Sequence, residues 1–150
     1  MNNKIQQMSN DIICELSKND FTIQKYESHS TSSVYVKLDY GVCNTIRISD
    51  HPGKGHLKYR YNLIVGGQCN ILEDNDFIRY YYSENDTELL LQQILFDRIT
   101  KINRYGKRNY YKYMYQNQKE KKGEKGFWQD AKLVHESLRY KNEKNNYARY

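Results

Sequence analysis

Proline occurs once and glycine eight times in these 150 residues. Glycine- and proline-rich linkers are therefore absent, and with them the spacers that join separately folded units. Cysteine is also scarce. Cys14, Cys43 and Cys69 lie far apart, and no two have C-x-x-C spacing. An odd number in that pattern argues against a closed disulfide framework and fits a reducing compartment. The expected role of these cysteines is as small buried apolar residues. Long apolar runs are missing as well. The richest, "ELLLQQILF" (88–96), is too short and too polar to span a bilayer. The opening "MNNKIQQMSND" has no apolar segment of the kind a secretory signal needs. No membrane partner is expected.

What the chain does have is tyrosine and charge. Tyrosine occurs 16 times, and it offers apolar area with a polar tip, suited to wet interfaces as well as cores. The net charge of +6 is unevenly spread. Residues 1–100 carry ten Lys/Arg against thirteen Asp/Glu, and residues 101–150 carry fourteen against five. A mildly acidic front with a strongly basic tail points to a polyanionic partner.

Patterning divides the chain in the same place. Residues 8–18 read as a short helix capped by Ser9 or Asn10, with Ile12, Ile13 and Leu16 on one side. Period-2 alternation predicts strands over 21–26, 33–40, 43–49, 57–65 and 77–82, with "DYGV" and "HPGKGH" as turns. Residues 85–106 predict the long helix. Asn85 and Glu88 form a capping-box pattern, Leu91, Ile94, Leu95, Ile99 and Ile102 a stripe, and Gly106 the stop. The expected body, 1–105, is α+β: an antiparallel sheet of about four to five strands packed by one long helix, with a short N-terminal helix. Residues 106–150 are expected to form a basic, Tyr-rich helical extension. Within it, Ala131, Val134 and Leu138 suggest an amphipathic helix over 127–140, and the last ten residues read as disordered.

The cluster Ser49-Asp50-His51 invites a catalytic reading. Successive side chains of an extended strand point to opposite faces, so three neighbours do not converge as nucleophile, base and orienter. Arg47, Ser49, Asp50 and His51 are better read as a structural turn motif. In it Ser49 and Asp50 bond to backbone N–H groups, and His51 precedes the bend at Pro52. "HPGKGH" lacks the G-x-x-x-x-G-K-[ST] pattern of a phosphate loop, and His51 with His56 gives only two ligands on one turn. No catalytic residue, metal or cofactor is expected.

The stronger signal is basic and aromatic. Arg104, Lys107, Arg108, Lys112, Lys119, Lys121 and Lys122 can neutralise phosphates, in binding that weakens with salt. Tyr110, Tyr111 and Tyr113 interleave with them and can stack on bases or pack on protein.

The segment "SSVYVKLDYGVCNTIRISDHPGKGHLKYRYNLIV" adds a family likeness. Ile46, Arg47, Ile48, Ser49, Asp50 and His51, then Tyr59 to Val65, then Leu89 to Ile102 match a strand ending in IR-[IL]-S-[DN]-H, a second strand and a striped helix. Over residues 32–103 the chain resembles phage-encoded anti-CRISPR proteins that inhibit type II-A Cas9. That family carries its basic arm at the N-terminus, whereas the comparable "RYGKRNYYKYMYQ" (104–116) here follows the helix. The resemblance implies a non-enzymatic inhibitor in the cytoplasm of a bacterial host. It would bind Cas9 or the Cas9–guide RNA complex and block DNA binding or cleavage, with possible direct contact to RNA or DNA. The alternative from the residues themselves is a small phage or mobile-element protein that binds RNA or DNA through its basic arm.

Overall fold

A computed structural model describes residues 3–50, 57–64, 77–120 and 126–147. The described residues form one antiparallel six-stranded sheet and four helices, an α+β architecture. Helix α1 (Asn3–Lys18) leads into strands β1 (Ile23–Ser28), β2 (Ser33–Leu38), β3 (Asn44–Ile48), β4 (Tyr59–Ile64) and β5 (Phe77–Tyr82). Helices α2 (Thr87–Tyr105) and α3 (Lys107–Lys119) follow, then a 3-10 segment (Gly126–Asp130), β6 (Lys132–His135) and α4 (Leu138–Tyr147). The strand order is β5-β4-β3-β2-β1-β6.

Alternation places one side chain in two on each face of the sheet. Ile23, Val34, Val36, Leu38, Ile46, Ile48, Tyr59 and Tyr61 share the first face. They form a core with Ile5, Ile12 and Leu16 of α1 and Leu90 and Ile94 of α2. The two tyrosines bring polar tips into this layer, and both are satisfied. The Tyr61 hydroxyl donates to Asp97 at 2.6 Å and accepts from Asn44 at 2.5 Å, and the Tyr59 hydroxyl bonds Thr87 at 2.8 Å.

A second, tyrosine-dominated cluster sits beyond the β2–β3 turn. Tyr40, Val42 and Cys43 of that turn meet Tyr110, Tyr111 and Met114 of α3 and Tyr140 and Tyr147 of α4. Everything described after Gly106 is thus packed onto what precedes it. β6 pairs antiparallel with β1, and Ser137 and Leu138 at the start of α4 both donate to the Asp20 carboxylate, at 2.8 and 2.7 Å.

Several expectations change. The sheet has one strand more than the upper figure. Lys132–His135 is an edge strand, not part of an amphipathic helix over 127–140, and its Leu133 and Val134 are exposed. A helix then covers 138–147, where most of the tail was expected to be disordered. Tyr140 and Tyr147 bury there, which supplies the core that composition alone does not suggest. Helix α1 begins at Asn3, and Ser9 lies inside it, bonding back to the Ile5 carbonyl at 2.7 Å instead of capping. A one-turn 3-10 segment, Glu84–Asp86, precedes α2, and its cap is Ser83, whose hydroxyl accepts from the Asn85 N–H. Asn85 therefore does not cap α2. The buried side of α2 is Leu90, Ile94, Asp97, Arg98 and Lys101, while Ile99 is exposed. Cys43 is buried, but Cys14 is exposed, and Cys69 lies outside the described residues.

Candidate nucleic-acid interface

Helix α3 is positioned by charged groups buried beneath it. Asp39, fully buried, accepts from the Thr22 N–H at 3.0 Å, from Arg98 Nε at 2.9 Å and from the Tyr110 hydroxyl at 2.6 Å. Arg98 also donates to the carbonyls of Asn19 and Asp20, both at 2.9 Å, and its guanidinium lies 4.0 Å from the Phe21 ring centre. Lys101 donates to the carbonyls of Val42 and Cys43, and Asn117 to that of Tyr40. This network satisfies the irregular β2–β3 turn, where Asp39, Tyr40 and Gly41 all have positive φ. It also holds α3 against the turn. Burial pushes the Tyr110 hydroxyl well above its ordinary range, with the Asp39 charge adding to the effect. Burial also pushes the Cys43 thiol up to about 12. Both groups are therefore neutral at physiological pH.

Tyr110 and Tyr111 are buried, so they serve the core and not a partner. Tyr113 is partly buried, edge-on to Tyr105 with ring centres 5.7 Å apart. The cations behave differently. Arg104, Lys107, Arg108 and Lys119 are exposed, and Lys112 is partly so. Arg108, Lys112 and Lys119 recur at intervals of four and seven, opposite the stripe of Tyr110, Met114 and Asn117. Helix α3 contains no Asp or Glu. The result is a cationic ridge on a rigid support. Lys121 and Lys122 lie outside the described residues.

One member of this surface was not expected from sequence. Arg139 of α4 packs its guanidinium 5.4 Å from the Tyr111 ring centre, and with Lys107 and Arg108 it lines a shallow depression between α3 and α4. Its partner in α4, Glu143, also lines it. Arg139 falls in the segment 127–140 expected to be helical, but its place beside Lys107 and Arg108 comes from the packing of α4 on α3, which no local pattern encodes.

Of the turn motif, Arg47, Ser49 and Asp50 are described, and Arg47 and Ser49 both bond the Ser33 hydroxyl. Ser49 is buried, and its hydroxyl bonds that of Ser33 at 2.9 Å, while its N–H donates to the Lys58 carbonyl at 3.0 Å. Asp50 forms an ion pair with Lys58. These contacts tie the end of β3 to the start of β4, and the turn that Ser49 and Asp50 were expected to cap lies outside the described residues. Arg47 belongs to the second face of the sheet, where it donates to Ser33 Oγ at 3.2 Å and lies over the Tyr35 ring. His51 lies outside the described residues, as does His56.

Among the described residues no three His, Cys, Asp or Glu are grouped as metal ligands, and no helix is long and apolar enough to cross a membrane. No family model, curated protein or solved structure matches this chain.

Proposed function

We propose that this protein is a non-enzymatic inhibitor that binds Cas9 together with its guide RNA and blocks DNA binding or cleavage, as the resemblance in residues 32–103 implies. The observation that carries the binding role is the seating of α3. Its inner side is locked through Tyr110 to Asp39, and its outer side offers Arg108, Lys112 and Lys119 with no carboxylate in the helix. A helix already seated on the body needs no backbone ordering on meeting phosphates, which favours affinity. RNA-guided effectors hold their nucleic acid in a cationic channel, leaving its outward phosphates as the anionic feature a basic ridge can meet. Displaced counterions would make the contact weaken with salt.

The test is a triple charge reversal, Lys107→Glu, Arg108→Glu and Lys112→Glu, assayed for binding to Cas9–guide RNA and for inhibition of cleavage. Exposure of these side chains predicts an unchanged thermal melt. Binding is expected to fall by at least tenfold, and unchanged inhibition would remove the ridge as a contact. Naked RNA and DNA belong in the same assay. Tight binding to them, with no preference for the nucleoprotein, selects the alternative of a plain nucleic-acid-binding protein.

A further inference from the structure

The second face of the sheet carries an unusual row. Register pairs Tyr26 with Tyr35, Tyr35 with Arg47, Arg47 with Arg60, and Arg60 with Tyr81, so one line of side chains crosses five strands. In the neighbouring row Asn62 stands opposite Arg79 and accepts from its Nε at 3.1 Å. No aspartate or glutamate occupies either row between β1 and β5.

Folding does not explain this arrangement. Two like charges directly opposite on adjacent strands destabilise a sheet, and Arg47 and Arg60 are such a pair. The Nε of Arg60 is buried and has no hydrogen-bond partner. Burial first, and then repulsion from Arg79 and Arg47, makes the Arg60 proton easier to lose than usual. A carboxylate in these rows would relieve all three stresses, and neither row holds one between β1 and β5. An anion from outside would do the same.

The aromatic members narrow the anion. At the β2 end the row already takes a planar ring. Trp128 lies edge-on to Tyr35 with centres 6.3 Å apart, and the Lys37 ammonium sits 4.5 Å from the Trp128 ring centre. Farther along, Arg79 is exposed, and Arg60, Asn62 and Tyr81 are partly so. Strands spaced about 4.8 Å apart put Tyr35 and Tyr81 roughly 14 Å apart, the scale of a sheet platform that stacks two or three bases and wider than one small anion needs. Stacking on a tyrosine requires an unpaired base, because a duplex hides its base faces. In the row beside Arg47 and Arg60, Thr45 and Asn62 face each other and bring a hydroxyl and an amide to the same face, groups that can bond a ribose 2′-hydroxyl.

We propose that this face binds single-stranded RNA, with Arg47, Arg60 and Arg79 on phosphates and Tyr81 stacked on a base. The site is separate from the α3 ridge and holds whether or not Cas9 is the target.

The test uses the full chain and a fluorescein-labelled oligouridine of about 10 nucleotides, a length within the range of single-strand binders. Anisotropy is read between about 50 and 200 mM salt. Loss of one base stack predicts that Tyr81→Ala weakens binding about 5- to 150-fold, while Tyr81→Phe keeps it. Arg60→Gln should weaken binding and reduce the salt slope by about 0.7, the value for one phosphate on a single strand. Because Arg60→Gln removes an unfavourable pair, its thermal melt should not fall. The Tyr81→Ala effect should be the same in the ridge-reversed variant, which separates failure of this site from failure of the ridge. The proposal is overturned if the wild type ignores oligouridine, or if Tyr81→Ala and Arg60→Gln bind like wild type. Equal binding of oligothymidine or of duplex RNA, or equal competition by polyglutamate, would also overturn it.

Discussion

Asp39 is the residue at which the two clusters meet. It is fully buried, it sits at φ 51, and its carboxylate ties Thr22 of β1's approach, Arg98 of α2 and Tyr110 of α3 to one point. A buried ion pair adds little over an apolar replacement, yet removing one partner strands the other charge. Asp39→Ala should therefore destabilise the fold by about 3–5 kcal/mol, read as a lower urea midpoint. Tyr110→Phe keeps the ring and removes one bond to a charged acceptor, for a smaller cost of about 1.5–3 kcal/mol. Adding Arg98→Met to Asp39→Ala should cost far less than the two changes measured apart, because the stranded charge is gone. At this scale sequence was a poor guide. Asp39 was legible as part of a turn, but Arg98 and Lys101 look like the solvated side of a helix. What buries Arg98 is a carboxylate 59 positions away, and no local pattern encodes that distance.

Among the elements, α3 depends on the break that precedes it. Gly106 has φ 85 and ψ 144, a conformation that side chains other than glycine rarely adopt, and its N–H closes α2 on the Ile102 carbonyl while its carbonyl opens α3. A Cβ there would meet nothing within 4 Å, so Gly106→Ala tests backbone strain without a clash. The expected loss is about 1–3 kcal/mol in the thermal melt. The ridge cations should also bind more weakly if the α2–α3 angle shifts. Strands β1 to β5 and the two main helices were readable because their periods are strong and their faces uniform. β6 and α4 were not. Four residues are too few to show alternation, and the spacing of Ala131, Val134 and Leu138 mimics a helix although Val134 and Leu138 are exposed. β6 exists because β1 offers an unpaired edge.

Across the whole molecule, tyrosine couples stability to alkaline pH. Burial is the leading cause that raises Tyr59, Tyr61, Tyr110, Tyr111 and Tyr140 above the ordinary tyrosine value. The unfolded chain would release these protons from about pH 10, while the folded chain holds them. The stabilisation is then complete below that pH and is lost as pH rises toward the folded values. Cys43 acts in the same sense, beginning near the ordinary thiol value and ending at about 12. The expected outcome is a melting temperature that falls steeply above about pH 10, with the buried tyrosines' share of the tyrosinate absorbance appearing only together with loss of circular dichroism. Ionisation of all 16 tyrosines before unfolding would contradict this burial.

Sequence alone determined the sheet-and-helix class, the face each strand buries and the excess of positive charge after residue 100, because these follow from local period and composition. It also marked α3 as cationic. Only the tertiary structure decided which tyrosines are core and which charges are buried. It also aligned Arg47 with Arg60 and Tyr81 across three strands. Burial and cross-strand register depend on partners that are distant in the chain, and a residue's type and near neighbours carry no record of them.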